Sequence, residues 1–79
     1  MEDRIIDIIA EVCSDASIKE HPEIDLLEND LLDSFAFIEL ISRLEDEFNI
    51  TIQPTQISPN TWRKTTSIVE MVLQISSKN

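Results

Sequence analysis

Residues 33–48 read Asp-Ser-Phe-Ala-Phe-Ile-Glu-Leu-Ile-Ser-Arg-Leu-Glu-Asp-Glu-Phe, and their spacing decides the fold class. Phe37, Ile38, Ile41, Leu44 and Phe48 recur at three- and four-residue intervals, with Leu40 beside them. Glu39, Arg43, Asp46 and Glu47 take the opposite side. This is the period of an amphipathic helix with one face in a core, and it predicts a helix over 35–48. Ser34 stands just before the first turn, at or near the N-cap, where a hydroxyl satisfies a free backbone N–H.

Upstream, Ile5, Ile8, Ile9 and Val12 form the same kind of stripe, widened by Ile6 and Cys13, and predict a helix over 2–13. Glu2 and Asp3 fall in its first turn, where negative charge suits the helix dipole. Downstream, Ile68, Val69, Val72, Leu73 and Ile75, with Met71 beside them, predict a last helix over 67–76. Ser67 and Glu70 have capping-box spacing, with Thr65 or Thr66 as competing caps, and the tail Ser76-Ser77-Lys78-Asn79 is expected to fray.

Residues 14–33 make a long connection that Pro22 keeps from being one continuous helix. It carries Ile24, Leu26, Leu27, Leu31 and Leu32, so it is expected to fold back onto the core; connections of this length are often functional. Ile50-Thr51-Ile52-Gln53 alternates weakly, but a lone strand has no partner, and an extended loop is expected. Thr55–Ser58, between Pro54 and Pro59, has room for one helical turn, and Trp62 supplies an apolar anchor. The sum is an all-α fold: a small bundle of three main helices plus one short helix, with a long first loop, as one domain over 1–79.

Seventy-nine residues bury a thin core and leave little room for a deep catalytic cleft, which disfavours an enzyme. The net charge is −10, and all acids but Glu70 lie in residues 1–47. Such a surface repels nucleic acid and suits a basic protein partner, or serves simply for solubility. Cys13 is the only cysteine, so an internal disulfide and a CxxC metal pair are excluded. Its place on an apolar helix side reads as a structural thiol, and His21 reads as a loop histidine. Glu23, Asp25, Glu28 and Asp30 lack the spacing and glycine of a calcium loop, and no metal is expected. Met1-Glu2-Asp3 is acidic and no long apolar run follows, so a cytoplasmic chain without membrane insertion is expected. Glycine is absent, which excludes glycine-rich phosphate loops and leaves Asn29, Asp30, Asn49 and Asn60 to take positive φ.

Taken alone, Asp33-Ser34-Phe35 needs no function beyond capping, and Ser34→Ala would then cost about 1 kcal/mol. The wider pattern is more specific. Asp33-Ser34, Glu39-Leu40, Leu44-Glu45 and Glu47-Phe48 resemble the acyl and peptidyl carrier protein superfamily. Ile18 to Leu26, Leu31-Leu32-Asp33-Ser34, Glu11-Val12-Cys13 and the Trp62 region resemble its D-alanyl carrier group. Two departures stand out. Asp30 replaces a glycine usual in that group, and Arg63-Lys64-Thr65-Thr66 follows Trp62 where the group often has Asn-Thr-Pro-Asn.

The resemblance implies 4′-phosphopantetheine, moved from coenzyme A onto Ser34 by a phosphopantetheinyl transferase. It implies a D-alanine-activating adenylating ligase that loads the arm, and a membrane-bound acyltransferase machinery that unloads it toward lipoteichoic or wall teichoic acid. The chain itself would be a non-catalytic carrier, with a monomer as the default. Asp33, Phe35, Ile38 and Glu39 are the candidate docking residues, each with an ordinary packing or solvated role as its alternative. Two other readings stay open: an acyl or peptidyl carrier of another biosynthetic pathway, and an acidic helical interaction module that is never modified.

Overall fold

The computed structural model describes residues 2–77, and places α1 at Glu2–Cys13, α2 at Ser34–Phe48 and α3 at Thr65–Ser77. Short 3-10 turns lie at Ala16–Lys19, Pro54–Gln56 and Pro59–Trp62. Lys78 and Asn79, in the tail expected to fray, lie outside the described residues. The all-α expectation holds, and residues 50–53 form no strand.

Each helix presents its stripe to one core. Ile5, Ile8, Ile9 and Ala10 enter from α1, Leu40 and Leu44 from α2, and Ile68, Val69, Met71 and Val72 from α3. The connections contribute Ile18, Leu26, Leu32, Ile50, Ile52 and Trp62. Burying a side chain of this size stabilises by roughly 1.5–3 kcal/mol. The long connection therefore folds back as expected, though only Leu26 and Leu32 of its five expected residues are buried; Ile24 and Leu31 are half-buried and Leu27 is exposed. Ile18, not singled out in the sequence, is fully buried.

Several expectations are corrected. In α2 the buried ridge runs through Leu40 and Leu44, with Phe37, Ile41 and Phe48 half-buried. Ile38 lies outside it, 67% exposed. The single expected turn in Thr55–Ser58 starts earlier, at Pro54, and a second follows at Pro59–Trp62. Proline suits a first helical position because its ring presets φ and it has no N–H to leave unpaired. Helix α3 starts at Thr65, not Ser67. The Ile68 N–H already donates to the Lys64 carbonyl at 3.1 Å, so Ser67 lies within the first turn and forms no capping box. Thr65 is buried with its Oγ1 unpartnered among the described residues.

Positive φ falls at Ser14, Asp30 and Asn49, at 56°, 56° and 53°, and not at Asn29 or Asn60. The three sites share a hydrogen-bond pattern. Asp15 N–H donates to the Ala10 carbonyl, Leu31 N–H to that of Leu26, and Ile50 N–H to that of Glu45. Each bond closes a helical turn in the Schellman manner, which needs one left-handed residue. A chain without glycine fills that residue with Ser, Asp or Asn. Ser14 was not foreseen because serine is the least suited of the three.

Candidate functional site

Asp33, not Ser34, caps α2. Its backbone is extended (φ −89°, ψ −177°), and its Oδ1 accepts the Ala36 N–H at 2.8 Å. The Phe37 N–H donates to the Asp33 carbonyl at 2.8 Å. Asp33 takes the cap because its backbone is extended, which lets its carboxylate turn forward onto the Ala36 amide, whereas Ser34 is already helical. Ser34 is thereby released. It is the first helical residue, exposed, and its side chain makes no hydrogen bond among the described residues. Its own N–H and that of Phe35 belong to the first helical turn, whose amides have no intrahelical acceptor.

Beside Ser34 lies an open groove of about 470 Å³ with apolar walls. One wall is the first turn of α2 with Ser34, Phe37 and Ile38; Leu27 and Leu32 form the second, from the long connection; Pro59 and Trp62 form the third. Trp62 stacks edge-on against Phe37, ring centroids 4.8 Å apart at 89°, which joins the third wall to the helix. A second shallow depression, on the outer side of α2, is lined by Phe35, Ile38, Glu39, Ser42 and Arg43.

The exposed large apolar side chains of the described residues are Leu27 (37%), Phe35 (81%) and Ile38 (67%). Leu27 and Ile38 share the groove, and Phe35 and Ile38 share the outer depression, so all three flank the serine. Exposed apolar side chains gathered at one place are the usual mark of an interaction surface. Of the four candidate docking residues, Phe35, Ile38 and Glu39 line the outer depression, and Asp33 lines the groove. Leu27 was not singled out as a contact residue; an apolar loop residue gives no sequence signal that separates packing from exposure.

Asp25 ties the long connection together. Its Oδ1 accepts the N–H groups of Leu27 at 3.1 Å and Glu28 at 2.9 Å, and its Oδ2 pairs with Arg63 Nη1 at 3.0 Å. The Glu28 N–H first, then Arg63, hold its carboxyl below the usual carboxylate range. Asp25 is thus a structural hub, and no cluster of metal-ligating side chains forms among the described residues. His21 is exposed beside Glu23, its Nδ1 3.4 Å from Oε1. Cys13 is half-buried, its thiol pushed up to about 11 by burial, with Asp15 and Asp33 adding to the effect. A thiol so seldom ionised is a poor nucleophile. This site offers a hydroxyl beside a capping carboxylate, an amide-rich helix end and an apolar landing.

Over residues 3–75 the chain matches the family described as a phosphopantetheine attachment site. The chain belongs to the phosphopantetheine-attachment family, alongside the D-alanyl carrier proteins. It is 35% identical to the D-alanyl carrier protein of Bacillus velezensis over 71 residues, which cover 90% of this chain and 91% of that one. The D-alanyl carrier protein of Bacillus subtilis strain 168 gives the same figures, and that of Bacillus pumilus is 35% identical over 74 residues, 94% of this chain and 95% of its own. The group this family attaches is 4′-phosphopantetheine, and its members are carriers and not, in general, catalysts. The site fits such a group: an exposed hydroxyl is available for the phosphodiester, beside helix amides that favour an anion. No helix among the described residues is long and apolar enough to cross a membrane.

Proposed function

We propose that residues 1–79 act as one cytoplasmic carrier domain that holds D-alanine for the D-alanylation of lipoteichoic or wall teichoic acid, with Ser34 as the attachment residue. The observation that carries the choice of Ser34 is its release from capping: Asp33 satisfies the helix end, and the serine hydroxyl is left exposed at the mouth of an apolar groove. The similarity to D-alanyl carrier proteins over nine-tenths of the chain supports the choice of cargo.

When attached, the phosphopantetheine supplies a flexible thiol that bears the aminoacyl group as a thioester. The chain's residues present and orient that arm. The helix end offers amides to its phosphate, and Leu27, Phe35 and Ile38 offer apolar contacts to visiting enzymes, with Asp33 and Glu39 as charged contacts. A phosphopantetheinyl transferase brings its own base and metal. An adenylating ligase and a membrane-bound acyltransferase machinery are the later partners. Arg4, Lys19, Arg43 and Arg63 are each paired with an acid of the chain itself. The surface therefore presents an excess of carboxylates, which speeds encounter with basic partners and makes it salt-dependent.

The test of the cargo is loading. The phosphopantetheine-bearing chain is incubated with ATP, a D-alanine-activating ligase, and D-alanine, L-alanine or a fatty acid. Thioester formation with D-alanine in clear preference is expected. Preference for another acyl or amino acid would replace this reading with a carrier of another pathway.

A further inference from the structure

The groove beside Ser34 is built from three separate pieces of chain, and something must keep them together. Leu32 runs directly into Asp33, which fixes the long connection to α2. The Phe37–Trp62 ring pair fixes α2 to the Pro59–Trp62 turn. The remaining seam, between Leu27 and Trp62, is closed one residue further along on the second side and two residues back on the first. Arg63 Nη1 meets Asp25 Oδ2 at 3.0 Å, the Leu26 N–H donates to the Arg63 carbonyl, and Asp25 and Lys64 form an isolated antiparallel bridge. The other oxygen of Asp25 organises the turn that carries Leu27.

We propose that the Asp25–Arg63 ion pair is a latch that sets the spacing of the Leu27 and Trp62 walls, and that the two residues thereby position the surface on which enzymes acting at Ser34 land. This rests on the reading of Ser34 as the attachment residue. The latch is not a pillar of the fold. Both side chains reach solvent, and exposed ion pairs contribute little to global stability. The buried Leu26 and Trp62 hold the fold on either side of it. A weak, exposed bond across the open seam of a groove controls local spacing without controlling folding.

Trp62 is the single tryptophan and lies in the wall concerned, so its fluorescence reads the seam directly. The experiment compares the unmodified parent chain with Arg63→Ala, Asp25→Asn and Arg63→Lys. The Asp25→Asn change keeps a side-chain oxygen for the Leu27 and Glu28 amides and turns the atom that faces Arg63 from a charged acceptor into a neutral donor. Each is measured for quenching of Trp62 by acrylamide, and for KM and kcat in phosphopantetheine transfer from coenzyme A. In Arg63→Ala and Asp25→Asn alike, quenching and KM are expected to rise by roughly threefold, the scale of one exposed ion pair, with kcat unchanged. Arg63→Lys is expected to restore most of both. The two disruptive changes shift net charge in opposite directions, so an effect of charge on partner binding would move their KM values apart. Quenching unchanged from the parent, or KM values that move in opposite directions, would overturn the latch. If the parent chain accepts no phosphopantetheine at all, the reading of Ser34 fails instead, and the quenching comparison still decides whether the pair holds the groove.

Discussion

At the residue scale, one exchange of roles matters most. A serine at the start of an acidic amphipathic helix reads as its cap, yet the carboxylate one residue earlier performs that task, with its Oδ1 2.8 Å from the Ala36 nitrogen. The consequence is measurable without any partner. Asp33→Ala should lose about 1 kcal/mol, the usual cost of a removed cap. Ser34→Ala should leave stability nearly unchanged, within about 0.5 kcal/mol. Urea unfolding of the two variants checks this; a larger loss in Ser34→Ala would return the cap to the serine. The sequence displays Asp33 and Ser34 side by side, and the residue types do not say which is extended and which helical. Ser14 shows the same limit. Its left-handed backbone follows from where α1 must stop against the core, and serine carries no local sign of it.

At the scale of elements, the periodicity of α1, α2 and α3 was readable because apolar spacing is a property of the helix itself. What the spacing left open was rotation. Phe37, Ile38, Ile41, Leu44 and Phe48 make a regular stripe, but the core receives Leu40 and Leu44, and Ile38 turns outward beside Ser34. A wide stripe admits more than one orientation, and the core residues against which α2 packs, such as Ile5 and Ile8 of α1, are distant in sequence. Leu40→Ala should therefore destabilise by about 2–5 kcal/mol, and Ile38→Ala by no more than about 0.5 kcal/mol, in denaturant unfolding. Equal losses would mean that the helix is turned the other way. The start of α3 was misplaced for a related reason. Arg63 and Lys64 are pinned to residues 25 and 26, a contact across the long connection that no local capping pattern reveals.

At the scale of the molecule, the chain holds its connections with carboxylates as well as with apolar surface. Asp15 accepts the Ser17 hydroxyl and N–H, the hydroxyl foremost, and lies below the usual carboxylate range as a result. Asp25 is lowered in the same way, first by the Glu28 N–H. A carboxyl with a lowered pKa stabilises above its unfolded value and loses that contribution as pH falls through its folded value. The protection of the Ser17, Leu27 and Glu28 amides, relative to their intrinsic exchange rates at each pH, should accordingly persist down to about pH 4, the ordinary carboxylate value, and be lost only below it. Loss of protection at higher pH, with the helices intact, would show that these carboxylates do not hold the connection. The acidity of the first 47 residues was legible as solvated or docking charge. That Asp15, Asp25, Asp33 and Glu45 among those acids accept backbone amides was not, because the amides they serve belong to turns, a helix end and a connection, not to a repeating pattern.

The central claim concerns a single hydroxyl, and the intact mass of the protein tests it most directly. The chain and its Ser34→Ala variant are incubated with coenzyme A, magnesium and a broadly acting phosphopantetheinyl transferase, alongside a carrier known to be modified. The account predicts that the parent gains the mass of one phosphopantetheine and that Ser34→Ala, still helical, gains none. A parent that stays at its original mass while the control carrier is modified, or a variant that is modified like the parent, would contradict it.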